Sequence, residues 1–183
     1  MTLAAALAVL LLAAAGAVRA AAGEPVIRVD TDEKPGAAHI RASIDIAAPP
    51  AVVWAVLVDC ARAPHIIPNL ESCRVLKRDP AGRWEVREHV INPPLLPRLR
   101  TVVRNSYEPD RRLAFKRIEG DMRASEGEWR LERVAQGTRL SYDALVEPGF
   151  FIPQFLAAQA IKYDFPKLLR AIERASVADA AKR

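Results

Sequence analysis

From His39 onward the chain alternates: Ile40, Ala42, Ile44 and Ile46 are apolar, and Arg41, Ser43 and Asp45 between them are polar. A period of two predicts a half-buried strand. Pro49 and Pro50 end it, and the apolar run Ala51 to Val58, opened by a proline at its first turn, predicts a helix. Pro64 and Pro68 break the chain again and leave room for one short helix around Ala63 to Ile67. Further strand-like runs follow at Cys73 to Arg78, Arg83 to Ile91, Leu99 to Tyr107, Arg112 to Ile118, Glu126 to Val134 and Thr138 to Val146. The connectors Asp79-Pro80-Ala81-Gly82, Glu108-Pro109-Asp110-Arg111 and Ala135-Gln136-Gly137 are short and turn-forming, which predicts antiparallel hairpins.

The period then changes. From Pro153, apolar residues at Phe155, Leu156, Ala158, Ile161, Phe165, Leu168, Leu169, Ile172 and Val177 fit one long amphipathic helix. Pro166 lies inside it and predicts a kink near Lys162 to Phe165, or a helix that begins in earnest only after the proline. This helix is the one element large enough to cover a face of the sheet. A curled sheet around one helix leaves space for a pocket between them.

The ends of the chain have a different character. Met1 to Ala22 is nearly all Ala, Leu and Val, with small residues at Val18, Ala20 and Ala22, the outline of a signal peptide. Its n-region holds no Lys or Arg, which leaves an uncleaved membrane anchor as the alternative. Residues 23–37 read as a polar arm, in which the alternating Val26 to Val29 could add a short strand. Residues 38–176 form the predicted domain and 177–183 a tail. Taking away the leader removes only Arg19 from the 27 basic residues, against 22 acidic ones. The two signs alternate along the chain without a basic block, which argues against nucleic-acid binding. A periplasmic or secreted monomer is expected.

Cys60 and Cys73 remain. In an exported chain the default reading is a disulfide closing a short loop. Two free thiols are an alternative, as is a metal site with His65. That site would offer three ligands where structural zinc takes four, and we expect no metal.

The run Ser43-Ile44-Asp45-Ile46-Ala47-Ala48-Pro49-Pro50-Ala51-Val52-Val53-Trp54, closed by Asp59 and followed by Pro64, Ile67-Pro68-Asn69 and Ser72 to Leu76, resembles the START-like superfamily, within it the polyketide cyclase/dehydrase and coenzyme-Q-binding branch. The resemblance covers about residues 38 to 175. It implies an α+β helix-grip fold: a curved antiparallel sheet of six to seven strands wrapped around the long C-terminal helix, with two short helices after the first strand. It also implies a ligand that is a lipid, a quinone or a polyketide-like molecule.

No nucleophile elbow, HExxH, P-loop or GxGxxG pattern is present, so neither cofactor nor catalytic motif is expected. Along Arg83 to Ile91, Trp84, Val86, Glu88 and Val90 share one face, and Glu85, Arg87, His89 and Ile91 the other. With the tryptophan face inward, Glu88 becomes an interior carboxylate that needs a partner such as Arg100, Arg104 or Arg117. On that reading Trp84, Glu88, Arg104, Phe115, Trp129, Tyr142 and Phe155 line the ligand site. A cyclase/aromatase-type enzyme, the alternative to a carrier, would use Glu88 and Tyr142 as its proton-shuttling groups. A protein-interaction module without ligand is the third possibility. Leu95 and Leu96 in one connector, with Phe150, Phe151 and Ile152 in another, are hard to bury and are expected to form a gate that dips into a membrane or touches a donor protein.

Overall fold

The structure, a computed structural model, describes residues 24–31, 37–94 and 96–183. In chain order its elements are β1 (Val26–Thr31), β2 (Ala38–Ile46), α1 (Pro50–Val58), α2 (Ala63–Ile66), β3 (Leu70–Arg78), β4 (Trp84–Ile91), β5 (Leu99–Glu108), β6 (Arg112–Gly120), β7 (Met122–Val134), β8 (Gly137–Pro148) and α3 (Gln154–Ala180). The strands form one antiparallel sheet in the order β1-β2-β8-β7-β6-β5-β4-β3. From β3 to β8 each strand pairs with the next in the chain, as the turn chemistry predicted. The long-range pairing of β2 with β8 carries the N-terminal strands to the far side.

The sheet has eight strands rather than six or seven. The added one is β1, which the sequence placed in the arm. Ile27 and Val29 turn toward the core while Val26, Arg28 and Asp30 are exposed, so its short alternation suffices once β2 offers an edge. The predicted signal peptide, residues 1–22, lies outside the described residues.

α1 begins at Pro50, where a missing N–H costs nothing, and the Pro49 carbonyl accepts from Val52 and Val53 at 2.9 and 3.2 Å. It buries Val52, Val53 and Val56. α3 is one helix from Gln154, running through Pro166. It therefore does not wait for the proline to begin. It also extends to Ala180, four residues into the predicted tail. Its C-terminal half is core: Leu169 and Ser176 are fully buried and Ile172 nearly so, and the two apolar residues pack with Ile44, Ile46, Val53 and Leu140. Burying a leucine such as Leu169 contributes roughly 1.5–3 kcal/mol. The N-terminal half exposes Phe155, Leu156 and Tyr163 instead.

Two ties hold the α1–α2 segment down. Arg62 donates to Asp179 near the end of α3 at 2.5 Å. A disulfide joins Cys60 to Cys73 on β3, with the Cα atoms 5.5 Å apart.

Candidate functional site

α1 packs on α3 and so marks the concave side of the sheet. Arg87 donates through Nη2 to the Val58 carbonyl at the end of α1, and Tyr107 meets Trp54 of α1 edge-on, ring centroids 5.7 Å apart. Glu85, Arg87 and His89 on β4 thus face inward, together with Thr101, Val103, Asn105 and Tyr107 on β5, their partners and near neighbours in register. Trp84, Glu88 and Arg104 face the other way. This reverses the orientation expected for these three. Trp84 lies beneath the Arg104 guanidinium at 4.4 Å and the Lys77 ammonium at 5.8 Å. Glu88 is buried under Arg74 and Arg100, the latter at 2.6 Å. Alternation shows which residues share a face, not which face is covered. On β4 the charged set turns inward because the α1 terminus supplies a carbonyl partner and Glu85 an opposite charge.

The inward polar set is deeply buried. Glu85, Arg87 and Asn105 are 2%, 4% and 4% exposed. Glu85 pairs with Arg87 and, at 3.1 Å, with Arg78. Among the described residues, four buried polar atoms lack a hydrogen-bond partner: His89 Nε2, Thr101 Oγ1, Tyr107 OH and Arg117 Nε. All four belong to the concave face of β4, β5 and β6. His89 lies opposite Thr101, and Arg117 opposite Val103. Burial lowers the His89 pKa to about 4, helped by the Arg87 cation, so the imidazole is neutral at pH 7. Cys73 of the disulfide stands opposite His89 across β3 and β4.

Beside this polar strip lies an aromatic wall. Phe115, Trp129 and Tyr142, from β6, β7 and β8, meet Phe165 of α3: Tyr142 is 5.9 Å from Phe115, 4.5 Å from Trp129 and 4.9 Å from Phe165. Burial raises the Tyr142 pKa, which keeps the phenol protonated. The structure therefore brings together three of the predicted lining residues. Phe155 is not among them, being 69% exposed in the first turn of α3.

A hollow of about 670 Å³ opens at one end of the sheet. Its walls are Pro97 to Leu99 before and at the start of β5, the turn Gly120 to Met122, Gly149 and Phe150 before α3, and Arg117. Asp121 ties the three segments together. Its N–H donates to the Arg100 carbonyl, and its carbonyl accepts from Gly149, both at 2.8 Å. Gly120, at φ 110°, permits this approach, because a Cβ there would collide with the Arg100 carbonyl. Phe150 lines the hollow; Phe151, next to it in the chain, is 80% exposed, and Phe155 and Leu156 in the first turn of α3 are exposed as well. Leu96 is half-buried, and Leu95 lies outside the described residues. Ile152 is 5% exposed: instead of serving in the gate it anchors the loop in the core, which frees its neighbour Phe151 to point outward.

A sheet curled around a C-terminal helix, with a hollow at one end, defines a helix-grip domain. The chain belongs to the polyketide cyclase/dehydrase and lipid transport family, whose model matches residues 46–173. Among solved structures it is similar to a STAR-related lipid transfer protein from Xanthomonas axonopodis, with 19% identity and a TM-score of 0.71, covering 84% of this chain and 93% of that one. It is also similar to a protein from Thermus thermophilus, with 23% identity and a TM-score of 0.67, covering 78% and 99%. The Zhui aromatase/cyclase from a Streptomyces species shares 19% identity and a TM-score of 0.62, over 80% and 95%. At these identities the likeness concerns the fold. No curated protein sequence matches the chain.

Proposed function

We propose that this protein binds a hydrophobic small molecule, a lipid, quinone or polyketide-like compound, between its sheet and α3, and passes it through the mouth. The observation that carries this reading is the 670 Å³ hollow with Phe150 in its wall, followed in the chain by the exposed Phe151 and Phe155. The size falls in the range of small-ligand sites. From the hollow, the inner face of β6 leads by Arg117 to Phe115 and the aromatic wall, where apolar area leaves water at about 25 cal/mol per Å². Exposed apolar side chains around an opening also suit transient contact with a membrane, where such a ligand would be loaded or released. The apolar leader and the disulfide support an exported, periplasmic carrier.

The cyclase alternative has weaker support. Glu88, its acid, sits on the convex face, on the opposite side of the sheet from the Tyr142 phenol. To test the carrier reading, the full chain is purified from its native envelope, weighed intact under non-denaturing conditions and extracted with organic solvent. A bound mass released into the organic phase is expected. Protein that carries none, and fails to take up a fluorescent apolar probe afterwards, would refute the reading.

A further inference from the structure

We propose that the polar end of the ligand is a carboxylate held by Arg117, Thr101 and His89, making the ligand a fatty-acid-like monocarboxylate. This rests on the carrier reading above and adds the chemistry of the head group. Three arginines surround the mouth. Arg98 is paired with Glu71 at 2.7 Å, and Arg123 with Glu147 at 2.9 Å. Arg117 has no carboxylate partner among the described residues. Its Nη2 donates to the Gly120 carbonyl at 3.0 Å, which fixes the guanidinium and leaves the buried Nε–H without an acceptor.

The nearby acids are already engaged. Asp121 Oδ2 accepts the Arg100 N–H at 2.7 Å, and Glu119 pairs with the Arg100 side chain at 2.7 Å. Arg117 is half-buried, with its Nε–H shielded from solvent; a shielded donor on a cation without a counter-ion is costly, and an incoming anion offsets that cost through charge-assisted hydrogen bonds.

Two further groups complete the seat. Thr101 faces His89 on one side and Gly120 on the other, so its unpartnered hydroxyl lies on the same inner patch as the Arg117 turn. The His89 ring, neutral at pH 7, can present an Nε2–H as a third donor without adding a second charge. One cation with two neutral donors suits a single negative charge; a dianionic phosphate would leave a charge unmatched, and a neutral ester or alcohol would leave Arg117 uncompensated. Phe115 is two residues from Arg117 on the same face of β6, so an attached alkyl chain continues directly onto the aromatic wall.

The test uses the delipidated full chain and the fluorescent polyene cis-parinaric acid, with its methyl ester as the neutral twin. At pH 7.5 the acid is expected to bind at least about tenfold more tightly than the ester, the scale of one charge-assisted hydrogen bond. Arg117→Gln should weaken the acid to the level of the ester and leave the ester unchanged, while Arg117→Lys should restore part of the preference. Equal binding of acid and ester by the unaltered protein overturns the carboxylate assignment and leaves the carrier reading standing. Failure of both probes to bind overturns both. Because the acid-to-ester comparison needs no substitution, it holds even if Arg117→Gln does not fold.

Discussion

Arg100 on β5 donates its Nε to Glu88 on β4 at 2.6 Å, on the side of the sheet turned away from α3. Arg74 reaches the other oxygen from β3, so a nearly buried carboxylate is clamped between the strands that flank it. Hydrogen bonds from Arg74 and Arg100 hold the Glu88 carboxyl below the usual carboxylate range. Its contribution to stability is therefore present above the unfolded carboxylate pKa of about 4.3 and fades as pH falls through the lower folded value. Glu88→Gln should lower the melting temperature at pH 7 and flatten the acid limb of the stability curve, with probe affinity unchanged. Weaker binding at an unaltered melting temperature would instead place Glu88 at the ligand.

His89 titrates with the opposite charge but costs stability over a neighbouring window. Its pKa is about 4 in the folded protein, against about 6.5 in an unfolded chain. Between those values the unfolded chain takes up a proton that the folded one refuses, so stability falls as pH drops from 7 toward 4. The loss reaches at most about 3 kcal/mol. Urea unfolding at pH 7.5 and pH 5 should show this slope in the native sequence, and His89→Gln should remove most of it. An identical slope in the variant would mean that the imidazole is not buried as described.

The concave and convex sides of β4 mark where the sequence could be read and where it could not. Strand and helix order, the disulfide partners and the aromatic wall follow from local patterns: period two, proline punctuation, cysteine spacing and large aromatic residues. Which face of β4 is covered depends on α1, about thirty residues earlier, placing the Val58 carbonyl over Arg87. No local pattern encodes that contact. His89, Thr101, Tyr107 and Arg117 were consequently missed as a group. One signal was available. Arg74 and Arg100 are cations on the two flanking strands that could both serve Glu88 on the convex side, which would have assigned its alternates Glu85, Arg87 and His89 to the interior.

The disulfide between Cys60 and Cys73 fastens the segment after α1 to β3, an edge strand with few buried side chains. On the chain-entropy account, closing a loop of this length contributes about 3 kcal/mol. In a domain of this size that corresponds to a melting temperature change of roughly 6–12 °C. Replacing both cysteines by alanine should lower the melting temperature by this amount, and adding a dithiol reductant to the native protein should approach the same value. Coincident melts with and without reductant, with free thiols confirmed by titration, would show that the bridge adds no stability.

Phe151 and Phe155 stand 80% and 69% exposed on either side of the start of α3, so changing them removes little buried area. Their substitution therefore separates membrane contact from folding. Phe151→Ser with Phe155→Ser should leave the melting temperature within about 1–2 °C of the native value, since surface changes cost within about 0.5 kcal/mol. The same pair should reduce co-sedimentation with liposomes and slow the release of cis-parinaric acid into them, because two apolar side chains no longer enter the interface. Probe affinity in the absence of liposomes should hold, as neither residue belongs to the aromatic wall of Phe115, Trp129, Tyr142 and Phe165. Unchanged sedimentation and release would place the exchange surface elsewhere. A loss of probe affinity without liposomes would instead make Phe155 part of the binding site after all, drawn in when α3 closes on its ligand.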